Sequence, residues 1–195
     1  MVVVVDTCSL LRLVEYYLPL DKTNKLVPLL EQLFFSRDMV MTQAVYEECQ
    51  YVSKGIIIKS LPFLNSKEGK KLIVAPEAFA PDQKLLRIVD EHFTIRAKFN
   101  SLKPEEQEAQ KDTFLRSGDF SILQCAYMEK KGMTGSLFGD DLRVLTDESG
   151  AENDSKCYKK IPPCCKILGA PTINIREYLE IITDGRIELI INREG

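Results

Sequence analysis

The chain holds a single histidine, His92. That scarcity excludes zinc sites built on two or three histidines and the HExxH metalloprotease helix, so carboxylates would have to do most of the work of holding any metal. The six cysteines, at positions 8, 49, 125, 157, 164 and 165, contain no CxxC pair. They read as reduced thiols filling core space, and the group Cys157, Cys164 and Cys165 lacks the paired spacing of a zinc site. No apolar run approaches the ~18 residues a membrane span needs. The apolar opening is cut off at Asp6, which predicts neither a signal peptide nor a membrane partner and places the protein in the cytoplasm. Positive charge is not in excess either: 26 Lys and Arg against 29 Asp and Glu leave a net charge of -3. Nucleic acid cannot be held by bulk positive charge, and only a local basic face could serve.

What is present fits a soluble globular protein. With 195 residues, 45% of them hydrophobic and 28% charged, the composition predicts one domain over 1–195. Short apolar runs alternate with amphipathic stretches, the pattern of a mainly parallel sheet wrapped by helices. Val2 to Val5 is β-branched throughout, as suits a strand buried on both faces. Further strands are predicted at Met39 to Met41, Leu72 to Val74, Leu142 to Leu145 and Thr172 to Ile175, with Ile187 to Ile191 as a late edge strand or hairpin arm. Helices are predicted over Asn24 to Phe35, from the cap Thr42 through Tyr51, over Leu85 to Ala97, Phe120 to Lys130 and Glu177 to Ile182, and over the polar stretch Lys103 to Lys111 headed by Pro104.

The acids fall in telling places. Asp6 directly follows the first strand, and Asp147 and Glu148 closely follow the strand Leu142 to Leu145. In an open α/β sheet ligands bind at the carboxyl ends of the strands, although an Asp there also suits the cap of the next helix. At 100° per residue, Glu48 lies at the edge of the apolar stripe Val45, Cys49, Val52, whereas Glu47 points nearly the opposite way. Asp119 falls inside the stripe of Ile122, Leu123 and Ala126, so it should face the sheet and need a compensating partner. Competing sites fit poorly. Cys8 stands where a haloacid-dehalogenase-type phosphatase would carry its second Asp, and Asp6 to Arg12 has no glycine for a dinucleotide-binding turn.

Four stretches together resemble the PIN-domain nucleases. Val2-Val3-Val4-Val5-Asp6-Thr7-Cys8-Ser9 resembles the first strand and catalytic turn, and Thr42-Gln43-Ala44-Val45-Tyr46-Glu47-Glu48-Cys49 the second acidic motif. Ser117-Gly118-Asp119-Phe120-Ser121 is similar to the third, and Val144-Leu145-Thr146-Asp147-Glu148 stands where the family has a strand, a threonine and the fourth acid. The later Lys160-Ile161-Pro162 resembles a bacterial PIN-like subgroup with a KIP segment after that acid. The resemblance implies a three-layer α/β/α sandwich and metal-dependent hydrolysis of RNA. Asp6, Asp119 and Glu148 would be Mg²⁺ or Mn²⁺ ligands, Glu48 a ligand or water-orienting acid, and Asp147 the fallback for Glu148. All-carboxylate donors suit such hard cations. Thr7, Ser9 and Thr146 could hydrogen-bond a carboxylate or phosphate, and could equally be local turn or cap hydroxyls. Among partners, the resemblance implies an RNA substrate and brings in an antitoxin protein and a homodimer, the toxin role depending on a gene this chain does not show. Compared with compact PIN toxins, the single domain has an extended central segment around 54–117. Against the acidic balance, the run Lys54, Lys59, Lys67, Lys70, Lys71 and the stretch Lys156, Lys159, Lys160, Lys166 offer basic faces, with Lys159 and Lys160 the RNA-binding candidates; either run could equally be a solvated face. A degenerate PIN fold acting as a binding or scaffold module is the rival expectation.

Overall fold

The computed structural model describes residues 1–75, 83–130, 142–150 and 156–184. Their frame is a four-stranded, all-parallel sheet in the order β2-β1-β3-β4, made of β1 (Val2–Val5), β2 (Met39–Val40), β3 (Leu142–Leu145) and β4 (Thr172–Ile173). All four valines of β1 are buried, as expected for a strand covered on both faces. The chain lays β2 on one side of β1 and later returns to lay β3 on the other. The crevice between the carboxyl ends of β1 and β3 is therefore the topological switch point, the place where such sheets bind ligands.

The helices follow in chain order: α1 (Thr7–Arg12), α2 (Leu26–Phe35), α3 (Gln43–Tyr51), α4 (Ile56–Ser60), α5 (Lys67–Lys70), α6 (Gln83–Ile88), α7 (Arg96–Phe99), α8 (Pro104–Leu115), α9 (Gly118–Lys130), α10 (Ile161–Leu168) and α11 (Ile175–Ile182). They complete the α/β/α sandwich. α9 packs against β1 and β3, with α3 and α10 beside it, while α2 covers β2. Phe120 and every residue from Ile122 to Met128 are buried, so α9 is enclosed almost all round rather than along the single stripe its sequence suggests.

Several boundaries moved for identifiable reasons. Leu72 to Val74 contributes one bridge, Thr42 to Val74, at the β2 edge, fixed by the Val74 N–H on the Met41 carbonyl at 2.9 Å. The helix expected over Leu85 to Ala97 is broken at Thr94 and Ile95. There Thr94 pairs with Tyr158, and the Ile95 N–H donates to the Cys157 carbonyl at 2.8 Å, tertiary bonds that a continuous helix would not allow. Strand β4 ends sooner than expected because Asn174 caps α11, accepting from the Glu177 N–H at 2.9 Å while Glu177 accepts from the Asn174 N–H. Helix α10 was not foreseen. Pro162 and Pro163 open it, and Gly169, at φ 67°, closes it. The expected arm at Ile187 to Ile191 lies outside the described residues.

Candidate active site

Registry brings the first two elements of the site together. Val5 pairs with Leu145, and the Asp6 N–H donates to the Leu145 carbonyl at 3.0 Å, so Asp6 and Thr146 emerge side by side. The Thr146 hydroxyl donates to Asp6 Oδ2 at 2.8 Å and accepts the Glu148 N–H at 3.2 Å. One buried hydroxyl thus ties the acid after β1 to the turn after β3. The Cys8 thiol donates to the same Asp6 oxygen at 2.7 Å. Burial, and then the charge of Asp6, push that thiol up to about 12, so it remains protonated and serves as a donor rather than a nucleophile.

Asp6 itself is buried, and burial raises its pKa; the Cys8 and Thr146 donors pull the other way, and the charge of Asp119 raises it further. Glu148 behaves similarly. Burial raises its pKa first, the Ile161 N–H at 2.9 Å opposes this, and both Asp119 and Asp6 add to the rise. Three carboxylates from three separate segments therefore feel one another across the crevice. Asp119, on the first turn of α9, keeps 31% of its side-chain surface open and has Lys156 Nζ at 4.0 Å. Asp119 is thus less buried than its place in the apolar stripe predicts, and the lysine facing it is a long, exposed ion pair on the rim. Lys160, whose amine lies 3.3 Å from Ser149 Oγ, opposes the rise in the Glu148 pKa. Lys159 is fixed through its backbone, its N–H donating to the Phe93 carbonyl at 2.9 Å.

Each of the three hydroxyls singled out in the sequence donates to a different carboxylate. Besides Thr146 on Asp6, Thr7 donates to Glu48 Oε2 and Ser9 to Asp147 Oδ2, both at 2.7 Å. Glu48 sits beside the start of α9, where a Cβ on Gly118 would stand 3.0 Å from its Oε2. Glu47 faces away and takes a bond from Gln43 at 2.8 Å, in keeping with the helical-wheel argument. Asp147 and Glu148, adjacent in sequence, part company. Asp147 accepts from Ser9, from Arg12 at 3.2 Å and from the Ile175 N–H at 3.1 Å, so it fastens α1, the turn after β3 and the start of α11 to one another. Glu148 is the one coupled to Asp6 and Asp119.

Sequence reasoning missed Cys8, Gly118 and Arg12 as parts of this arrangement. Cys8 and Gly118 lie inside the acidic motifs, and the bond of Cys8 to Asp6 spans only two residues, whereas the partner of Arg12 is 135 residues distant and leaves no local signal. As the side chains lie, no three His, Cys, Asp or Glu groups among the described residues converge closely enough to hold an ion. The donor chemistry of Asp6, Asp119, Glu148 and Glu48, all oxygen, suits a hard divalent cation rather than zinc or copper. No family model matches the chain, and neither a curated protein nor a solved structure matches it significantly.

Proposed function

We propose that this protein is a cytoplasmic PIN-type ribonuclease that hydrolyses RNA phosphodiesters with Mg²⁺ or Mn²⁺. The observation that supports this most is the electrostatic coupling of Asp6, Asp119 and Glu148 at the switch point of a parallel sheet. Asp6, Asp119 and Glu148 would hold the cation, with Glu48 orienting the attacking water, and Asp147 is left to hold the turn. A divalent cation bound there lowers the pKa of water and offsets charge on the scissile phosphate. Thr146 and Cys8 hold the Asp6 carboxylate in one orientation, Thr7 does the same for Glu48, and Lys156 and Lys160 set positive charge at the rim where a phosphate would enter. Incubation with single-stranded and structured RNA tests this. Cleavage with Mn²⁺ or Mg²⁺ that EDTA abolishes and Asp6→Asn removes is expected. Cleavage that survives chelation, or is equal in Asp6→Asn, rejects the proposal.

The absence, among the described residues, of three converging ligands favours one rival, a fold of this type kept as a binding module. Calorimetric titration with Mn²⁺ separates the two: binding lost on Asp119→Asn supports the nuclease, and no binding supports the module.

A further inference from the structure

Residues 156–161 border the crevice as one strip. Their backbone is clipped to the break at Thr94 and Ile95: the Ile95 N–H donates to the Cys157 carbonyl at 2.8 Å, and the Lys159 N–H to the Phe93 carbonyl at 2.9 Å. Between these bonds the buried Tyr158 ring stacks on Phe114, centroids 4.1 Å apart and planes at 6°, with the Phe99 ring edge-on at 6.1 Å. Main-chain bonds and ring packing seat the strip, so taking an ammonium group off it should leave its backbone in place. Three positive groups of the strip then act on the acids. Lys156 Nζ lies 4.0 Å from Asp119 Oδ2. Lys160 Nζ lies 3.3 Å from Ser149 Oγ, the residue after Glu148, and its charge favours the ionised form of Glu148 against the effect of burial. The Ile161 N–H donates to Glu148 Oε2 at 2.9 Å. Pro162 and Pro163 have no N–H, and that of Cys164 turns back to the Lys160 carbonyl, so Glu148 takes the one donor that the start of α10 has to offer. A divalent cation drawn to Asp119 and Glu148 would meet the two ammonium groups as like charges.

We infer that Lys156 and Lys160 are an internal counter-charge of the crevice that competes with the divalent cation, holding its affinity below what the acids alone would give. This regulates the site already described and rests on the cation-binding part of the reading above. The fixed strip makes the competition a property of the fold rather than of two loose side chains. The same two lysines that offer charge to a phosphate at the rim therefore restrain metal loading in its absence.

Calorimetric titration of the full chain with Mn²⁺, without RNA, is the test. Lys156→Gln with Lys160→Gln should tighten Mn²⁺ about tenfold, whereas Lys70→Gln with Lys71→Gln, the same change in net charge at the end of α5, should alter it by about twofold at most. Lys156→Arg with Lys160→Arg keeps both charges and should keep the parental affinity. Thermal melts give a second readout: the Gln pair at the crevice should stay folded in EDTA and show a larger Mn²⁺-induced rise in Tm than the parent. If that pair does not fold, Lys156→Gln alone, a change on an exposed side chain, carries the test and should tighten Mn²⁺ about threefold. Where the parent binds Mn²⁺, three results overturn the inference and leave the nuclease reading standing: unchanged affinity in the folded crevice variant, weaker binding there, or equal tightening in the α5 pair. No Mn²⁺ binding by parent or crevice variant overturns the cation reading, and this inference with it.

Discussion

Thr146 and Asp6, 140 residues apart, share a buried hydrogen bond of 2.8 Å at the carboxyl ends of two neighbouring strands. The acceptor is a carboxylate whose own burial disfavours its charge, so the donor matters more than an exposed one would. Thr146→Val removes the donor and keeps the shape. It should destabilise the protein by about 1.5–3 kcal/mol, the range for hydrogen bonds to charged groups, while Thr146→Ser should stay near the parent. Urea denaturation decides this, and parental stability in Thr146→Val would mean that the bond contributes nothing net.

Asp147 and Glu148 should respond in opposite ways. Asp147 anchors Ser9, Arg12 and the Ile175 N–H, so Asp147→Ala strands three donors and should cost roughly 2 kcal/mol or more. Glu148→Gln keeps an oxygen for the Ile161 N–H and removes one of three mutually repelling charges, so the metal-free protein should match the parent within ~0.5 kcal/mol. Thermal melts in EDTA that rank the two variants the other way would exchange their roles.

For Asp119 the sign of the stability change is diagnostic. Its ion pair with Lys156 is long and solvent-exposed, worth about 0–1 kcal/mol, whereas its charge raises the pKa of both Asp6 and Glu148. Asp119→Asn should therefore be as stable as the parent in EDTA, or more so, and should lose most of the Mn²⁺-induced rise in Tm. A clear loss of stability in EDTA with an intact Mn²⁺ shift would remove Asp119 from the metal site.

Acid stability should depend on Asp21, remote from the crevice. Burial alone would raise its pKa, but the Leu26 N–H at 2.7 Å, with the Thr23 hydroxyl and N–H, outweighs this and lowers it below the ordinary value. A carboxyl lowered in the folded state contributes stability above its unfolded pKa, and that contribution is lost as pH falls through the folded value. Asp21→Asn should be less stable than the parent near neutral pH, because the neutral amide loses the charge-assisted bonds to Leu26 and Thr23, and the difference should vanish in strong acid. A difference independent of pH would assign the effect to packing.

Local physics made most of the fold legible in the sequence. Four consecutive valines can only be a strand covered on both sides, and Thr42 ahead of an amphipathic run caps its helix as expected, accepting from the Val45 N–H at 3.4 Å. Glu48 and Glu47 could be told apart because a helix fixes side-chain directions from spacing alone. What spacing cannot carry is the partner from a distant segment. The break at Thr94 exists only because Tyr158 and Cys157 offer backbone bonds there, and Asp147 is separated from Glu148 only by Ser9, Arg12 and the start of α11. The lysine run reads as charge along a line, whereas Lys54, Lys59 and Lys70 line one open surface depression next to a left-handed turn after α3. Periodicity and capping are interactions within a few residues, which a sequence writes out in order. The placing of a charge beside its partner depends on sheet registry and loop closure, which exist only once the chain has folded.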